Sequence, residues 1–319
     1  MTDLAFTFPG QGSQHVGMGA DLAETFAAAR EVFAEVDDVL GQPLSRLMRE
    51  GPEDELTLTE NAQPALMAVS MAVMRVLERE GDFSLAHQVK FVAGHSLGEY
   101  SALAAAGSLS LADAARLLRT RGRAMQKAVP VGEGAMAAVM GLELDSVHDL
   151  AREAADGEVC QVANDNAPGQ VVISGTKSAV ERAVELAKAR GARRSVLLPV
   201  SAPFHCALMQ PAAEAMAEAL GSVTLGPPSV PVVTNVTARP VSDPGELRQR
   251  LVEQVTGTVR WRESVTFMVS EGVTRVYEIG AGKVLSGLAR RIERGLDTKS
   301  ISVAADIESA APAIHHTQG

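Results

Sequence analysis

The chain has 319 residues, a length that suits one large domain or two smaller ones. A hydrophobic share of 46% can fill a sizeable core and excludes a disordered chain. The formal net charge of −10 and an aromatic share of 3% argue against binding to nucleic acid or to an anionic membrane, because those surfaces attract basic proteins and base stacking needs aromatic rings.

Cysteines, histidines and apolar runs set further limits. Cys160 and Cys206 are too few for a disulfide framework, and no Cys or His cluster has the spacing of a zinc site, so we expect no bound metal. Asp3 lies where a secretory signal carries basic residues, and the longest apolar stretch, residues 64–74, is too short to cross a bilayer. The sequence therefore predicts a soluble protein in the reducing cytoplasm.

Strands and helices alternate through the first third of the chain. Apolar and β-branched runs predict strands at residues 4–8 and 89–93. Apolar residues with helical spacing predict four helices, at residues 21–40, 64–77, 98–106 and 111–127. Ser110 and Asp113 resemble a capping box in front of the last of these helices. This alternation predicts a parallel sheet covered by helices.

The middle of the chain has a different order of elements. It reads as strand, helix, strand, strand, helix and strand, at residues 134–141, 145–155, 159–163, 170–174, 176–190 and 194–200. Residues 164–169 are dense in turn formers and predict a turn. Because β-α-β-β-α-β is the order of a ferredoxin-like unit, we expect a small inserted subdomain at residues 129–198.

The α/β alternation then resumes. Helices are predicted at residues 207–220, 246–255, 263–271 and 283–294, and strands at residues 230–235 and 275–279. Residues 1–128 and 199–306 should together form the large, discontinuous α/β domain. Residues 307–319 are predicted to be a flexible tail.

Residues 94–98, Gly-His-Ser-Leu-Gly, match the G-x-S-x-G pattern of a nucleophile elbow. In this element a strand turns sharply into a helix, so that the serine is exposed and the helix N-terminus offers free N–H groups to an oxyanion. The alternative is a tight turn whose serine caps the helix. The predicted strand before the motif and the predicted helix after it favour Ser96 as a nucleophile.

His205 is the favoured base for that serine. It follows the strand predicted at residues 194–200, and ligand sites of open α/β sheets lie in loops beyond strand ends. The alternative is a helix-capping or core histidine. No acid stands out as its partner, although Asp113 and Asp165 are available, and a backbone carbonyl can also hold the Nδ1 proton.

Four motifs in chain order carry a resemblance to a known family. They are FPGQGSQ at residues 8–14, GHSLGEY at 94–100, RGRAMQ at 121–126 and FHCALM at 204–209. From about residue 4 to about residue 300 the chain resembles malonyl-CoA:acyl-carrier-protein transacylases of fatty-acid synthesis, and more distantly the acyltransferase domains of polyketide synthases. The resemblance implies an α/β-hydrolase-like domain, with a mainly parallel sheet, that carries an inserted ferredoxin-like subdomain.

Site residues follow from this resemblance position by position. Ser96 corresponds to the nucleophile and His205 to the general base. The backbone N–H groups of Gln11 and Leu97 correspond to the oxyanion hole, and the carbonyl of Gln254 to the group that orients the histidine.

The resemblance also assigns the acyl-binding residues. Spacing alone does not choose among the four arginines at positions 116–123, and the resemblance selects Arg121 as the residue that binds the free malonyl carboxylate. A guanidinium can hold a carboxylate through two parallel hydrogen bonds. Phe204 and Gln63 are expected in the same pocket.

The resemblance implies ping-pong transfer of a malonyl group from malonyl-CoA to the phosphopantetheine thiol of acyl carrier protein, by a monomer with no tightly bound cofactor. Three alternatives remain at this point: a serine hydrolase such as a thioesterase, a non-catalytic carrier-binding subunit, and an acyltransferase of a related malonyl-using system. Steady release of malonate without an acceptor would favour the first, and an active system with Ser96→Ala the second.

Overall fold

The computed structural model describes residues 2–80 and 83–315. The strands within these ranges are β1 (Leu4–Phe8), β2 (Phe91–Gly94), β3 (Gly134–Met140), β4 (Cys160–Ala167), β5 (Gln170–Thr176), β6 (Arg194–Leu197), β7 (Val232–Val233), β8 (Pro240–Val241), β9 (Arg275–Ile279) and β10 (Asp297–Ile301). They form two sheets, one largely parallel and one antiparallel.

Helices cover both sheets. In the first half of the described chain they are α1 (Ala20–Thr25), α2 (Ala27–Leu40), α3 (Leu44–Glu50), α4 (Glu53–Thr57), α5 (Thr59–Glu80), α6 (Leu85–Gln88), α7 (Gly98–Ala105), α8 (Leu111–Ala128) and α9 (Leu144–Ala155). In the second half they are α10 (Lys177–Ala189), α11 (Gln210–Gly221), α12 (Pro244–Thr256), α13 (Trp261–Ser270), α14 (Val284–Ile292) and α15 (Ala304–His315), with a 3-10 turn at Ala207–Met209 in front of α11.

The larger sheet has the strand order β10-β9-β1-β2-β7-β8. Its neighbours are parallel except for β7 and β8, so the predicted parallel sheet is confirmed. All five residues of the central strand β1 are buried, because helices cover both faces of a parallel sheet. This explains why β1 reads as a continuous apolar run in the sequence.

The smaller sheet has the order β4-β5-β3-β6 and is antiparallel throughout. One face packs against α9 and α10 through an apolar cluster that includes Val147, Ile173 and Val180. Met136 and Val172 contribute to the main core on the opposite side. The molecule is therefore a mixed α/β protein in which the antiparallel sheet packs against the body that carries the parallel sheet.

The turn predicted at residues 164–169 is wrong for residues 164–167, which continue β4 through two register shifts. Contacts with residues 259–262 hold this part of the strand in place. Asn164 forms an isolated parallel bridge with Val259. The carboxylate of Asp165 accepts two hydrogen bonds, of 3.1 and 2.9 Å, from Nε of Arg262.

The predicted helix at residues 21–40 is two helices, because Phe26 has an extended backbone (φ −115°, ψ 127°). Towards the C-terminus the structure also differs from the predicted flexible tail, since residues 307–315 belong to α15. Ile307, Ala310 and Ile314 follow helical spacing and are buried in the main core. Residues 316–319 lie outside the described residues.

Candidate active site

Ser96 lies in the sharp turn between β2 and α7, with its backbone in the left-handed region (φ 53°). Two glycines make this turn possible. A Cβ atom on Gly94 would lie 1.9 Å from the carbonyl carbon of Gly98, and a Cβ atom on Gly98 would lie 2.2 Å from the carbonyl oxygen of Phe8. Both motif glycines are therefore required by close backbone contacts, and these contacts fix the turn against the end of β1.

Gly98→Ala is expected to destabilise the protein by about 3 kcal/mol or to prevent folding, because the methyl group would overlap backbone atoms that cannot move independently. The measurement is urea unfolding followed by circular dichroism. The control is Gly287→Ala in α14, where nothing lies within 4 Å of the added Cβ, and alanine should raise stability by up to about 1 kcal/mol. Equal unfolding midpoints for Gly98→Ala and the wild type would contradict this account of the turn.

His205 reaches the serine from the loop after β6. Its Nε2 lies 2.8 Å from Oγ of Ser96, and its Nδ1 lies 2.9 Å from the carbonyl oxygen of Gln254. Since a carbonyl only accepts, Nδ1 carries the proton and Nε2 is free to accept the serine hydroxyl. The pKa of His205 is lowered to about 3, mainly by burial and secondly by the positive charge of Arg121. The imidazole is therefore neutral near pH 7.

Arg121 projects from α8 to the same point. One of its terminal nitrogens donates to Oε1 of Gln63 (2.8 Å), and the other donates to Oε1 of Gln254 (2.8 Å) and to Oγ of Ser96 (3.1 Å). The side chain is only 1% exposed, and its guanidinium lies 5.7 Å from the centre of the Tyr100 ring. Desolvation by burial lowers its pKa from the ordinary value.

All hydrogen-bond acceptors of this guanidinium are neutral oxygens. Within residues 2–80 and 83–315, no carboxylate forms an ion pair with Arg121, and its Nε has no hydrogen-bond partner. Glu99 acts on this charge only from beyond ion-pair distance. A buried cation without a direct acid partner is costly, and a carboxylate brought in by a ligand would relieve that cost. The site is therefore suited to an anionic acyl group.

These side chains meet in a cleft of about 390 Å³. Seven of the eight residues singled out in the sequence line it, namely Gln11, Gln63, Ser96, Leu97, Arg121, Phe204 and His205. The eighth, Gln254, packs behind the cleft in α12 and touches both His205 and Arg121. A wider groove of about 470 Å³ beside α9 shares His205 with this cleft but is not lined by Ser96 or Arg121.

Gln11 and Leu97, which both line the cleft, were predicted to offer their backbone N–H groups to an oxyanion. Among the described residues, neither Gln11 nor Leu97 donates its backbone N–H to an acceptor. The loop that carries Gln11 is held by its own side chain, whose Oε1 accepts a hydrogen bond of 2.9 Å from the hydroxyl of Thr59. Both backbone N–H groups therefore stay available within the part of the cleft that the described residues line.

Sequence reasoning missed polar residues that hold the turn in place. Asn235, just after β7, accepts the backbone N–H of Ser96 (2.8 Å) and donates to the carbonyl of Gly94 (2.6 Å). Asn166 lies 2.9 Å from Nε2 of His95. The sequence held a signal for Asn235. It is the last residue of a predicted strand, and ligand sites of α/β sheets form at the carboxyl ends of the strands.

Within residues 2–80 and 83–315, no group of three or more histidine, cysteine, aspartate or glutamate residues is arranged to hold a metal ion. No helix in that part of the chain combines the length and the apolar character needed to cross a membrane.

Comparison with known proteins identifies the family. Residues 5–313 match the acyl transferase domain family. The malonyl CoA-acyl carrier protein transacylase of Escherichia coli strain K12 is 48% identical over 314 residues, which cover 98% of this chain and 99% of the relative.

Solved structures agree with that match. The acyl-carrier-protein-S-malonyltransferase from Bartonella henselae superimposes with a TM-score of 0.96 at 57% identity, covering 99% of this chain and 100% of the other. A chain from the complex of a type II PKS acyl-carrier protein with its malonyl-transacylase gives a TM-score of 0.94 at 44% identity, covering 98% of this chain and 100% of the other. Together with the geometry of the cleft, these matches establish that the chain belongs to the malonyl-CoA:acyl-carrier-protein transacylase family.

Proposed function

We propose that this protein transfers the malonyl group of malonyl-CoA to the phosphopantetheine thiol of acyl carrier protein, through a malonyl ester of Ser96. One observation carries the proposal. The Ser96 hydroxyl lies 2.8 Å from a neutral imidazole and 3.1 Å from a buried guanidinium that forms no ion pair with any carboxylate of the described residues. This arrangement combines an activated nucleophile with a receptor for a carboxylate.

Acylation begins when Nε2 of His205 takes the hydroxyl proton and Oγ of Ser96 attacks the thioester carbon. The negative charge that develops on the carbonyl oxygen is stabilised by the backbone N–H groups of Gln11 and Leu97. The carbon–sulfur bond then breaks, and CoA leaves as a thiol with the proton from the His205 imidazolium. The product is malonyl-Ser96 with a neutral imidazole.

Transfer to the carrier protein reverses these steps. His205 takes the proton of the phosphopantetheine thiol, and the sulfur attacks the ester carbon of malonyl-Ser96. The ester bond breaks and Oγ recovers its proton from the imidazolium. The carbonyl of Gln254 holds the Nδ1 proton during both half-reactions, so no carboxylate is needed to orient the ring.

Arg121 selects the acyl group in this proposal. Its guanidinium can form charge-assisted hydrogen bonds with the free malonyl carboxylate, whereas an acetyl group would leave the buried charge unpaired. Gln63 holds the guanidinium from the side away from Gln254. Phe204, which is buried next to His205, would limit the room beside the acyl group.

Partners follow from the chemistry and from the names of the relatives. Both thioesters that react here carry the same phosphopantetheine arm, and relatives of this chain are named for acyl carrier protein. Each half-reaction exchanges an ester for a thioester without oxidation, so a tightly bound cofactor is not required. We infer a monomer, since one chain supplies every residue that the mechanism uses. We also infer a cytoplasmic location, because Cys160 and Cys206 are both free thiols, as is usual in a reducing compartment.

The finer architecture is also inferred. The strand order β4-β5-β3-β6 with α9 and α10 on one face supports a ferredoxin-like subdomain at residues 129–198. The parallel sheet with its elbow after β2 supports an α/β-hydrolase-like domain formed by residues 1–128 and 199–306. The contacts of α15 with β10 and α5 would assign residues 307–315 to the large domain.

The function is tested by intact mass spectrometry of the protein after brief exposure to malonyl-CoA. We expect a malonyl adduct that disappears when holo carrier protein is added and reappears on the carrier. Apo carrier protein, which lacks the thiol, is the matched control and should leave the adduct in place. Steady malonate release without an acceptor would identify a thioesterase instead, and the absence of any adduct would identify a non-catalytic subunit.

A further inference from the structure

Glu99 is a buried acid next to the reaction centre that the mechanism above does not use. It lies in the first turn of α7, three residues after Ser96, and its side chain is fully buried. An acid in the first turn of a helix is ordinarily exposed and stabilises the helix dipole. Complete burial of a carboxyl group is costly, so its position calls for a specific explanation.

The contacts of Glu99 connect it to Gln254. Its Oε2 accepts hydrogen bonds from the backbone N–H of Asn235 (2.8 Å) and from Nε2 of Gln254 (3.1 Å). The same Nε2 donates to the carbonyl oxygen of Ser96 (3.0 Å). A third acceptor, Oδ1 of Asn235, lies 3.3 Å from this nitrogen, so Glu99 is one of three acceptors that face the nitrogen end of the Gln254 amide, and it is the only carboxyl group among them.

This arrangement fixes the direction of the amide. With the nitrogen held by Glu99 and by the Ser96 carbonyl, Oε1 of Gln254 must face the other way, where it accepts a hydrogen bond of 2.8 Å from Arg121. Rotation of a terminal amide by half a turn exchanges its oxygen and nitrogen. A rotated Gln254 would present an N–H group to the guanidinium, and two donors facing each other would displace the cation.

Glu99 reaches Arg121 through this amide, since no ion pair joins the two side chains in the described part of the chain. Its second oxygen, Oε1, is buried and has no hydrogen-bond partner among the residues that the structure describes. Burial raises the pKa of Glu99 to about 7, against the opposing effects of Asn235, Gln254 and the Arg121 charge. The acceptor function of Oε2 does not require the negative charge, because a neutral carbonyl oxygen accepts hydrogen bonds as well.

We propose that Glu99 is a positioning residue for substrate selection: it fixes the Gln254 amide so that Arg121 is held where the carboxylate of the acyl group binds. This inference rests on the proposed function and deepens it. It predicts a loss of selectivity when Glu99 is replaced. A displaced guanidinium would no longer bind the malonyl carboxylate, whereas transfer of an uncharged acyl group depends less on the position of Arg121.

The test compares the rates of enzyme acylation by malonyl-CoA and by acetyl-CoA. Glu99→Leu removes the acceptor, and we expect kcat/KM for malonyl-CoA to fall about 30-fold while the value for acetyl-CoA changes by less than about 3-fold. Glu99→Gln offers a neutral oxygen at the same distance. The ratio of kcat/KM for malonyl-CoA to kcat/KM for acetyl-CoA is expected to stay within about 3-fold of the wild-type ratio. Glu99→Asp withdraws the carboxylate by one methylene and should lower the ratio by about tenfold.

Each outcome bears on the inference. Equal losses for the two substrates in Glu99→Leu and Glu99→Asp would show a merely structural role and overturn it. Loss of selectivity in Glu99→Gln would also overturn the inference, because selectivity would then depend on the negative charge of Glu99 and not on the direction of the Gln254 amide. If Glu99→Leu does not fold, the other two variants still test the inference, which requires a lowered ratio in Glu99→Asp and a wild-type ratio in Glu99→Gln. A wild-type protein that takes no malonyl group would refute the proposed function itself, whereas an unchanged ratio in an active protein refutes only the role of Glu99.

Discussion

Ser96→Ala and His205→Ala are each expected to lower malonyl transfer by about 10⁴-fold or more, and the double variant should lose little beyond the worse single variant. The two side chains act as one unit, since the proton on Oγ must pass to Nε2 over their 2.8 Å contact. Transfer rates to holo carrier protein and intact mass measure both losses. Ser96→Ala should form no malonyl adduct at all.

Ser101→Ala is the matched control for these variants. Ser101 lies in α7, the helix that follows the elbow. It is fully buried, and its hydroxyl has no hydrogen-bond partner in the described part of the chain. We expect its transfer rate to stay within about 3-fold of wild type, because it contacts neither reactant. A malonyl adduct on Ser96→Ala, or additive losses in the double variant, would contradict a shared role of Ser96 and His205.

The pH dependence of acylation gives a second measurement on His205. Because its pKa is lowered to about 3, the imidazole stays unprotonated as the pH falls through the ordinary histidine value of 6.5. The rate of acylation should therefore show no histidine limb between about pH 8 and about pH 5. Glu99, with a pKa raised to about 7, is the neighbouring group that could titrate there, and Glu99→Gln removes it. A limb near pH 6.5 that persists in Glu99→Gln would show a histidine with an ordinary pKa.

The sequence was most informative where structure depends on near neighbours. The strand before Ser96, the helix after it and the glycines at positions 94 and 98 are all specified within about ten residues of sequence. The N-cap of α8 is another local feature, since the hydroxyl of Ser110 accepts the backbone N–H of Asp113 at 3.0 Å, which is one half of the predicted capping box. Such features follow from spacing and backbone chemistry, so they are visible before any fold is known.

Residues whose partners are distant in the chain could not be found this way. Glu99 meets Asn235 and Gln254 across separations of 136 and 155 residues, and in the sequence it reads as an ordinary acid in the first turn of a helix. Asn164 reads as a turn former because asparagine is common in turns. The bridge that places it in a strand joins it to Val259, which is distant in the chain and leaves no local signal. Strand β10 was not predicted either, because as an edge strand it carries mostly polar residues.

Arg121→Met is expected to lower kcat/KM for malonyl-CoA by about 10³-fold and to leave the value for acetyl-CoA unchanged or higher, so that the preference between the two substrates narrows or reverses. The malonyl carboxylate would lose its charge-assisted partner, whereas the acetyl group would no longer enter a pocket that holds an unpaired buried cation. Arg121→Lys keeps the charge but loses the planar fork, and it should give an intermediate loss for malonyl-CoA.

The control for this prediction is Arg123, which lies in α8 like Arg121. Arg123→Met removes an exposed arginine that pairs with Glu60 at 2.8 Å, and we expect both substrates to stay within about 2-fold of wild type. Arg121 also donates a hydrogen bond to Oγ of Ser96, so it could serve the nucleophile as well as the acyl group. If Arg121→Met lowered the rates for malonyl-CoA and acetyl-CoA equally, the guanidinium would act on the nucleophile alone, and selection of the carboxylate would have to come from elsewhere in the cleft.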